Sequence, residues 1–211
     1  MTDALPTLLA AWAAFSAAAI SPGPNMVAVA SRALGSGRAS ALAVAFGIAV
    51  GAFGWALLCA LGLGALFEAF PALLRVLGLL GGAYLAWLGF KGWRAALTGS
   101  AGEIAPKEGR GLRADMLHGL VVTGINPKVA LLWASLATFV GSATTSWPLL
   151  LLFAGGSALL GFAIYGAYGL VFSAGGVRRL YDRFSRAAEG LFGTVFGALG
   201  IAMIVRAARG G

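Results

Sequence analysis

The sequence predicts an all-α integral membrane protein with six transmembrane helices, arranged as two inverted three-helix repeats in which the first helix of each repeat is broken. Three observations support this prediction: an apolar composition, six apolar runs of membrane-spanning length, and proline-containing interruptions at matching places in two of those runs. Sixty per cent of the 211 residues are apolar, only 10% are charged, and the mean hydropathy is +0.90. A soluble domain of this length needs more charge for its surface.

The apolar runs follow one another along almost the whole chain. A helix of about 20 residues crosses a hydrocarbon core of about 30 Å, and each run is close to that length or longer. The N-terminal run is too long for a signal peptide, and the residues before it contain Asp3 and no lysine or arginine. The single cysteine, Cys59, excludes an intrachain disulfide or a CxxC redox pair. The runs cover residues 5–31, 41–67, 73–90, 117–140, 147–172 and 187–205, which leaves one polytopic membrane domain spanning residues 1–211.

Lysine and arginine outnumber aspartate and glutamate, 15 to 7, and they are concentrated in alternate loops. The loops after the first, third and fifth runs carry eleven of them, whereas the opposite side carries three. The positive-inside rule then places the three basic loops in the cytoplasm and both termini outside. We interpret these residues as topology signals and contacts for membrane lipid, and not as a nucleic-acid-binding surface. The basic loops contain Arg32, Arg38, Lys91, Arg94, Lys107, Arg110, Arg113, Arg178, Arg179, Arg183 and Arg186, and the opposite side contains Arg75, Arg206 and Arg209.

A polar segment near the middle of the chain divides the sequence into two halves. Residues 93–115 contain glycine, proline and charges of both signs, which is typical of a flexible connector. We place repeat one at about residues 1–94, a cytoplasmic connector at about 95–115 and repeat two at about 116–211. Each repeat then holds three apolar runs, and an odd number of crossings orients consecutive repeats in opposite directions through the membrane.

The first run of each repeat is interrupted by proline. The motif "SPGPN" occupies residues 21–25, and "GINPK" occupies residues 124–128. The serine of the first motif and the asparagine of the second lie eleven residues from Arg32 and Asp115, respectively, which is about 16 Å of helix. Both interruptions therefore lie near the predicted membrane midplane, where matching breaks in inverted repeats indicate a transporter's binding site. A kink that serves only helix packing is the alternative for SPGPN.

The two interruptions predict the same local structure. Ser21 followed by Pro22, and Asn126 followed by Pro127, each combine a good N-cap residue with proline at the first helical position. Each pair should start a half-helix whose free N–H groups and positive dipole end face the membrane centre. Gly23 lets the backbone approach a ligand closely.

Lys128 follows the second interruption and lies near the predicted midplane, where a charged side chain is costly and marks a function. Beside two helix N-termini, its ammonium group predicts a site for a carboxylate or another anion. A role for Lys128 as a proton carrier stays open. The runs hold no paired histidines, acidic cluster or serine–histidine pair, so the sequence predicts neither an enzyme nor a metal or cofactor site. His118 stands alone at the start of the fourth run and is interpreted as an interfacial residue.

Four motifs together resemble the LysE superfamily of amino-acid exporters, in particular its RhtB branch. Besides SPGPN, they are "FGIAVGAFGWALLCALGLGALF" at residues 46–67, "LGGAYLAWLGFKGW" at residues 80–93 and "GLVVTGINPKVALLW" at residues 119–133. The resemblance covers nearly the whole chain. Two positions depart from it: Ala52 stands where many relatives have an acidic or amide residue, and residues 136–139 read "LATF" where many continue into Leu-Pro-Gln-Phe.

The resemblance implies a transporter that exports amino acids or close derivatives from the cytoplasm across the bacterial inner membrane. It implies the proton-motive force as the energy source, and H⁺ as the coupling ion. A homodimer is compatible with it, and a channel or a non-transporting membrane protein is the alternative function. The predicted substrate-binding residues are Ser21, Pro22, Gly23, Pro24, Asn25, Asn126, Pro127 and Lys128, with Tyr84 as a weaker candidate.

Overall fold

A computed structural model describes residues 4–21, 23–63, 69–98, 106–143 and 146–174, together with single residues between 187 and 208. These residues form helices and no strand, which confirms the predicted all-α class. The helices are α1 (Ala4–Ile20), α2 (Pro24–Leu58), α3 (Pro71–Thr98), α4 (Leu112–Ile125), α5 (Pro127–Ala143) and α6 (Trp147–Phe172), and a π-helical turn (Cys59–Leu63) prolongs α2.

The described helices follow the apolar runs of the sequence. Helix α6 begins and ends with the fifth run, and it is long and apolar enough to cross a membrane. Helix α2 with the start of its π-helical extension also passes this test, as does the bent pair formed by α4 and the first part of α5 when it is counted as one span. Helix α1 is apolar but shorter. The first and fourth runs are therefore the broken ones, as predicted.

Helix α2 contains a sharp turn at Gly37, whose φ of 79° and ψ of −169° are not helical. A positive φ of this size favours glycine. A Cβ atom built on Gly169 of α6 would lie 3.1 Å from Ala41 and 3.4 Å from Val29, although a straight helix would separate those two residues by about 18 Å. Helix α2 therefore folds back on itself, with a first arm at residues 24–36 and a second arm at residues 38–58.

The second arm of α2 packs against α4 through glycine. A Cβ atom on Gly47 would lie 1.9 Å from the carbonyl oxygen of Met116, and one on Gly119 would lie 2.1 Å from that of Val44. The two backbones are thus in direct contact. Between membrane helices, where association depends on close packing, small residues provide this kind of interface.

The end of the connector is held against the first arm of α2. The backbone N–H of Lys107 donates to the carbonyl of Ser31 at 3.0 Å, and Arg32 Nη1 donates to the carbonyl of Glu108. Arg32 Nε lies 3.1 Å from Asp115 Oδ1 in α4, and both side chains are buried. Residues 106–111 contain no helix, and these contacts join this end of the connector to α2, whereas its flexibility stays a prediction.

The chain forms two compact units, each containing segments from both predicted repeats. The first unit contains α1, α2, α4, α5 and α6, and the second contains α3 and the described C-terminal residues. In the second unit, a Cβ atom on Gly82 would lie 2.7 Å from the carbonyl oxygen of Gly200, and one on Gly89 would lie 2.5 Å from the nitrogen of Gly197. From Gly82 to Gly89 along α3, the contacted C-terminal residue changes from Gly200 to Gly197. The two segments therefore pack closely and run antiparallel.

Candidate functional site

The first helix break lies between α1 and α2, and it differs in detail from the prediction. The Ser21 hydroxyl donates to the carbonyl of Ala18 at 2.8 Å, and the Ser21 N–H donates to the carbonyl of Ala17 at 3.3 Å. Ser21 therefore prolongs the end of α1, and its prediction as an N-cap is wrong because its hydroxyl is used by the preceding turn. Helix α2 begins instead with Gly23 at the N-cap and Pro24 at the first helical position.

The second helix break lies at Asn126 and agrees with the prediction. Asn126 has extended backbone angles, and its Oδ1 accepts the backbone N–H of Lys128 at 3.1 Å. This is the geometry of an N-cap, with Pro127 at the first position of α5. The axes of α4 and α5 differ in direction by 58°, so the fourth apolar run is broken here.

The two breaks meet through their asparagine side chains. Asn126 Nδ2 donates to Asn25 Oδ1 at 3.0 Å, and Asn25 Nδ2 donates to Thr123 Oγ1 at 3.1 Å. All three residues are buried. In an apolar environment an unpaired amide is costly, and this chain of hydrogen bonds satisfies several polar atoms of both asparagines at once.

The ammonium group of Lys128 lies at the end of α1. Its Nζ donates to the Ser21 carbonyl at 3.0 Å and is also hydrogen-bonded to the Ser21 hydroxyl. The carbonyl end of a helix carries a partial negative charge, which favours a cation there. A Cβ atom on Gly23 would lie 3.4 Å from the same Nζ, so the lysine side chain passes over this glycine. A backbone carbonyl at the end of α1 therefore accepts a hydrogen bond from the Lys128 ammonium.

These residues surround a small cavity at the meeting point of the two breaks. Its volume is about 20 Å³, which is enough for a water molecule and too small for an amino acid. The lining residues are Phe15, Ala18, Ala19, Ser21, Gly23, Asn25, Met26, Ile48, Ala52, Thr123, Asn126, Lys128, Val129, Leu132, Trp133 and Tyr165.

The polar part of this lining combines one cation with neutral groups. Lys128 is the charged residue, and serine, threonine and asparagine side chains supply donors and acceptors. No aspartate or glutamate occurs among the described lining residues. Ala52 is part of the wall, so the departure from the family pattern noted in the sequence falls directly on this cavity. The arrangement suits an anionic group better than a cationic one.

The structure separates the predicted site residues into two groups. Ser21, Gly23, Asn25, Asn126 and Lys128 line the cavity together. The others are placed as follows: Pro24 lines a second cavity of about 230 Å³ with Arg32, Lys107 and His118, Pro127 starts α5, Pro22 lies outside the described residues, and Tyr84 belongs to the second unit, where its ring centroid is 5.6 Å from that of Trp87.

Several cavity residues were not singled out from the sequence. Thr123 is buried three residues before Asn126 and accepts the hydrogen bond from Asn25, although only its place directly before the GINPK motif could have indicated this. Tyr165 and Phe15 come from α6 and α1, and no local motif marks them. Trp133 lies in the quoted family motif but has no polar neighbour in sequence that distinguishes it from a packing residue.

Comparison with known proteins identifies the family. The sequence model of the LysE type translocator family matches residues 16–207. An uncharacterized membrane protein of Haemophilus influenzae is 31% identical over 189 residues, which cover 88% of this chain and 90% of the relative. The threonine efflux protein of Escherichia coli K12 is 30% identical over 198 residues, which cover 89% of this chain and 92% of the relative. No solved structure matches this chain.

The chain therefore belongs to the LysE type translocator family. This confirms the resemblance that the sequence motifs indicated, and it confirms a transporter rather than an enzyme. The apolar helices and the membrane-protein relatives agree in making this a membrane protein.

Proposed function

We propose that this protein is a secondary active transporter that exports amino acids or close derivatives across the bacterial inner membrane, in which it is a multi-pass protein. The family and the threonine efflux relatives support the substrate class. Two broken helices that meet at a polar cavity support a transport site, because non-helical backbone inside a membrane is tolerated where it is buried or lines such a cavity.

The observation that carries this proposal is the position of Lys128. Its ammonium lines a cavity in which the other described polar groups are neutral. The substrate's carboxylate binds to this ammonium and to the N-terminal ends of α2 and α5, whose dipoles favour an anion. When substrate binds, the Lys128 ammonium shares its hydrogen bonds between the carbonyl end of α1 and the substrate's carboxylate.

The small volume of the cavity fits an alternating-access cycle. A volume of about 20 Å³ must enlarge before an amino acid enters, so the breaks have to separate on one side of the membrane at a time. A hydrogen bond from Lys128 to the Ser21 carbonyl joins the C-terminal end of α1 to the N-terminal end of α5. We therefore expect these two helix ends to move apart when the site opens. Opening the site breaks this link, and a carboxylate offers the lysine a replacement partner.

Efflux and exchange measurements on Lys128 variants test the proposal. Lys128→Met removes the charge, and losing one partner of a buried charge pair typically costs about 3–5 kcal/mol, so efflux should be almost abolished while insertion is unaffected or improved. Lys128→Arg keeps the charge but changes its shape and reach, so partial activity is expected. Saturable, gradient-dependent efflux of labelled amino acids, lost with a protonophore, distinguishes a proton-driven transporter from a channel.

Counterflow exchange separates the two roles of Lys128. Exchange requires substrate binding but no net proton movement. Lys128→Met should abolish exchange as well as net efflux if the lysine binds the carboxylate. Wild-type exchange in this variant would overturn the carboxylate site and assign the proton role to Lys128 instead.

A further inference from the structure

Trp133 is a fully buried aromatic residue in the wall of the central cavity. Its ring centroid is 5.5 Å from that of Phe15 and 5.9 Å from that of Phe153, with the second ring edge-on. Its backbone carbonyl accepts a hydrogen bond from the Cys59 thiol at 2.9 Å. Ring contacts with Phe15 of α1 and Phe153 of α6 therefore favour one orientation of this indole.

The indole N–H of Trp133 is buried and has no hydrogen-bond partner among the described residues. Other indoles of the same unit have one: Trp12 Nε1 donates to Ser157 Oγ at 3.2 Å, and Trp55 Nε1 donates to the Thr123 carbonyl at 3.4 Å. Leaving a buried donor unsatisfied costs about 1–3 kcal/mol, and such groups are rare in folded proteins. A residue that carries this cost in the wall of a binding cavity is suited to donate to a ligand.

Trp133 and Lys128 are far enough apart to contact different parts of a small ligand. They are five residues apart in α5, which corresponds to about 7.5 Å along the helix axis. A carboxylate bound at Lys128 therefore leaves the rest of an amino acid to extend toward the apolar wall that contains Phe15, Ala52 and Trp133. In that wall the indole N–H is a donor still lacking an acceptor among the described residues.

We propose that the Trp133 indole N–H donates a hydrogen bond to an acceptor atom on the substrate's side chain and thereby determines specificity. The inference rests on the proposed amino-acid transport at this cavity. It applies to substrates whose side chain carries an oxygen acceptor. A site built around a polar group discriminates strongly against analogues that leave this group unpaired.

The test compares two substrates of nearly equal shape, threonine and valine, which differ by a hydroxyl in place of a methyl group. Purified protein in liposomes is assayed for counterflow of each labelled amino acid. The wild type should prefer threonine by at least about tenfold. Trp133→Phe, which keeps an aromatic ring but removes the donor, should lower this preference about tenfold or more by slowing threonine alone.

A matched control is Trp12→Phe, because the Trp12 N–H already has an acceptor within the protein. This variant should leave the threonine-to-valine ratio unchanged. If Trp133→Phe fails to elute from size-exclusion chromatography as the wild type does, Trp133 is replaced by benzothienylalanine, which keeps the bicyclic shape and has sulfur in place of the N–H. The same loss of preference is expected for it.

Two results would overturn the inference while leaving the proposed function intact. The first is an equal loss of threonine and valine exchange, which would mean that Trp133 only supports the fold. The second is an unchanged ratio in both donor-free proteins. Failure of the wild type to exchange any amino acid would instead overturn the proposed function, and this inference with it.

Discussion

A hydrogen bond of 3.0 Å, from Asn126 Nδ2 to Asn25 Oδ1, joins the two helix breaks. The two residues are 101 positions apart and belong to different predicted repeats. Asn126 also caps α5 through its Oδ1, and Asn25 also donates to Thr123. Asn126 thus makes one contact within its own break and one across to Asn25, whereas both side-chain contacts of Asn25 cross to the second break, so a change at either break affects both.

The first prediction concerns this pair. Asn126→Ala removes the N-cap of α5, which typically costs about 1 kcal/mol, and it also leaves the buried Asn25 carbonyl oxygen without this donor. We expect a lower midpoint of thermal unfolding in detergent and a loss of efflux. The variants Asn25→Ala and Asn126→Ala and the double variant form a mutant cycle, in which residues in contact typically show about 0.5–3 kcal/mol of coupling. Strictly additive effects would contradict the linkage.

The second prediction concerns the glycine contact between α2 and α4. Gly119→Ala forces a Cβ atom to within 2.1 Å of the Val44 carbonyl oxygen, so the two helices must separate. We expect this variant to lose most folded protein, measured as the monodisperse fraction in size-exclusion chromatography. Gly124→Ala is the matched control in the same helix, because a Cβ atom there meets nothing described within 4 Å. Equal yields of the two variants would refute the close contact.

The broken helices could be predicted from the sequence because proline and asparagine act locally. Asn126 behaves as expected, since its side chain needs only the N–H two residues ahead. Ser21 does not, because its hydroxyl can bond either to the following helix or to the preceding turn. In the structure it donates to the preceding turn and also contacts Lys128, which is distant in sequence. The identity of the residue at the start of α2 therefore depended on information that the motif does not contain.

Other parts of the site could not be predicted because they come from distant helices. Tyr165 and Phe15 reach the cavity only after α6 and α1 pack beside the breaks. The sequence separated the first two apolar runs correctly, but it gave no indication that the link at Gly37 is a single non-helical glycine within one long helical segment. The inverted relationship of the two repeats stays a prediction.

The third prediction concerns the buried ion pair between Arg32 and Asp115. Asp115→Asn leaves a buried guanidinium without its carboxylate, and breaking such a pair typically costs about 3–5 kcal/mol. We expect a clear fall in unfolding temperature. Replacing the pair together by Arg32→Met and Asp115→Leu should recover much of it, because apolar residues of similar volume often substitute for a buried pair. As a control, Arg113→Gln removes an exposed charge from the same helix and should change the unfolding temperature little. An equal fall in this control would mean that the charge of the helix, and not the buried ion pair, determines the effect.

The last prediction concerns topology and follows from the asymmetry of the basic residues. The connector should face the cytoplasm, and the start of α1 should face the periplasm. Arg110→Cys introduces an exposed thiol in the connector, and Leu5→Cys introduces one in the exposed part of α1. A membrane-impermeant maleimide applied to intact cells should label Leu5→Cys at once and Arg110→Cys only after permeabilisation. The native Cys59 is buried, so the unmodified protein should stay unlabelled and serves as the control. Labelling of Arg110→Cys in intact cells would contradict the predicted orientation. The substrate would then have to enter from the side of the membrane that we assign to its release.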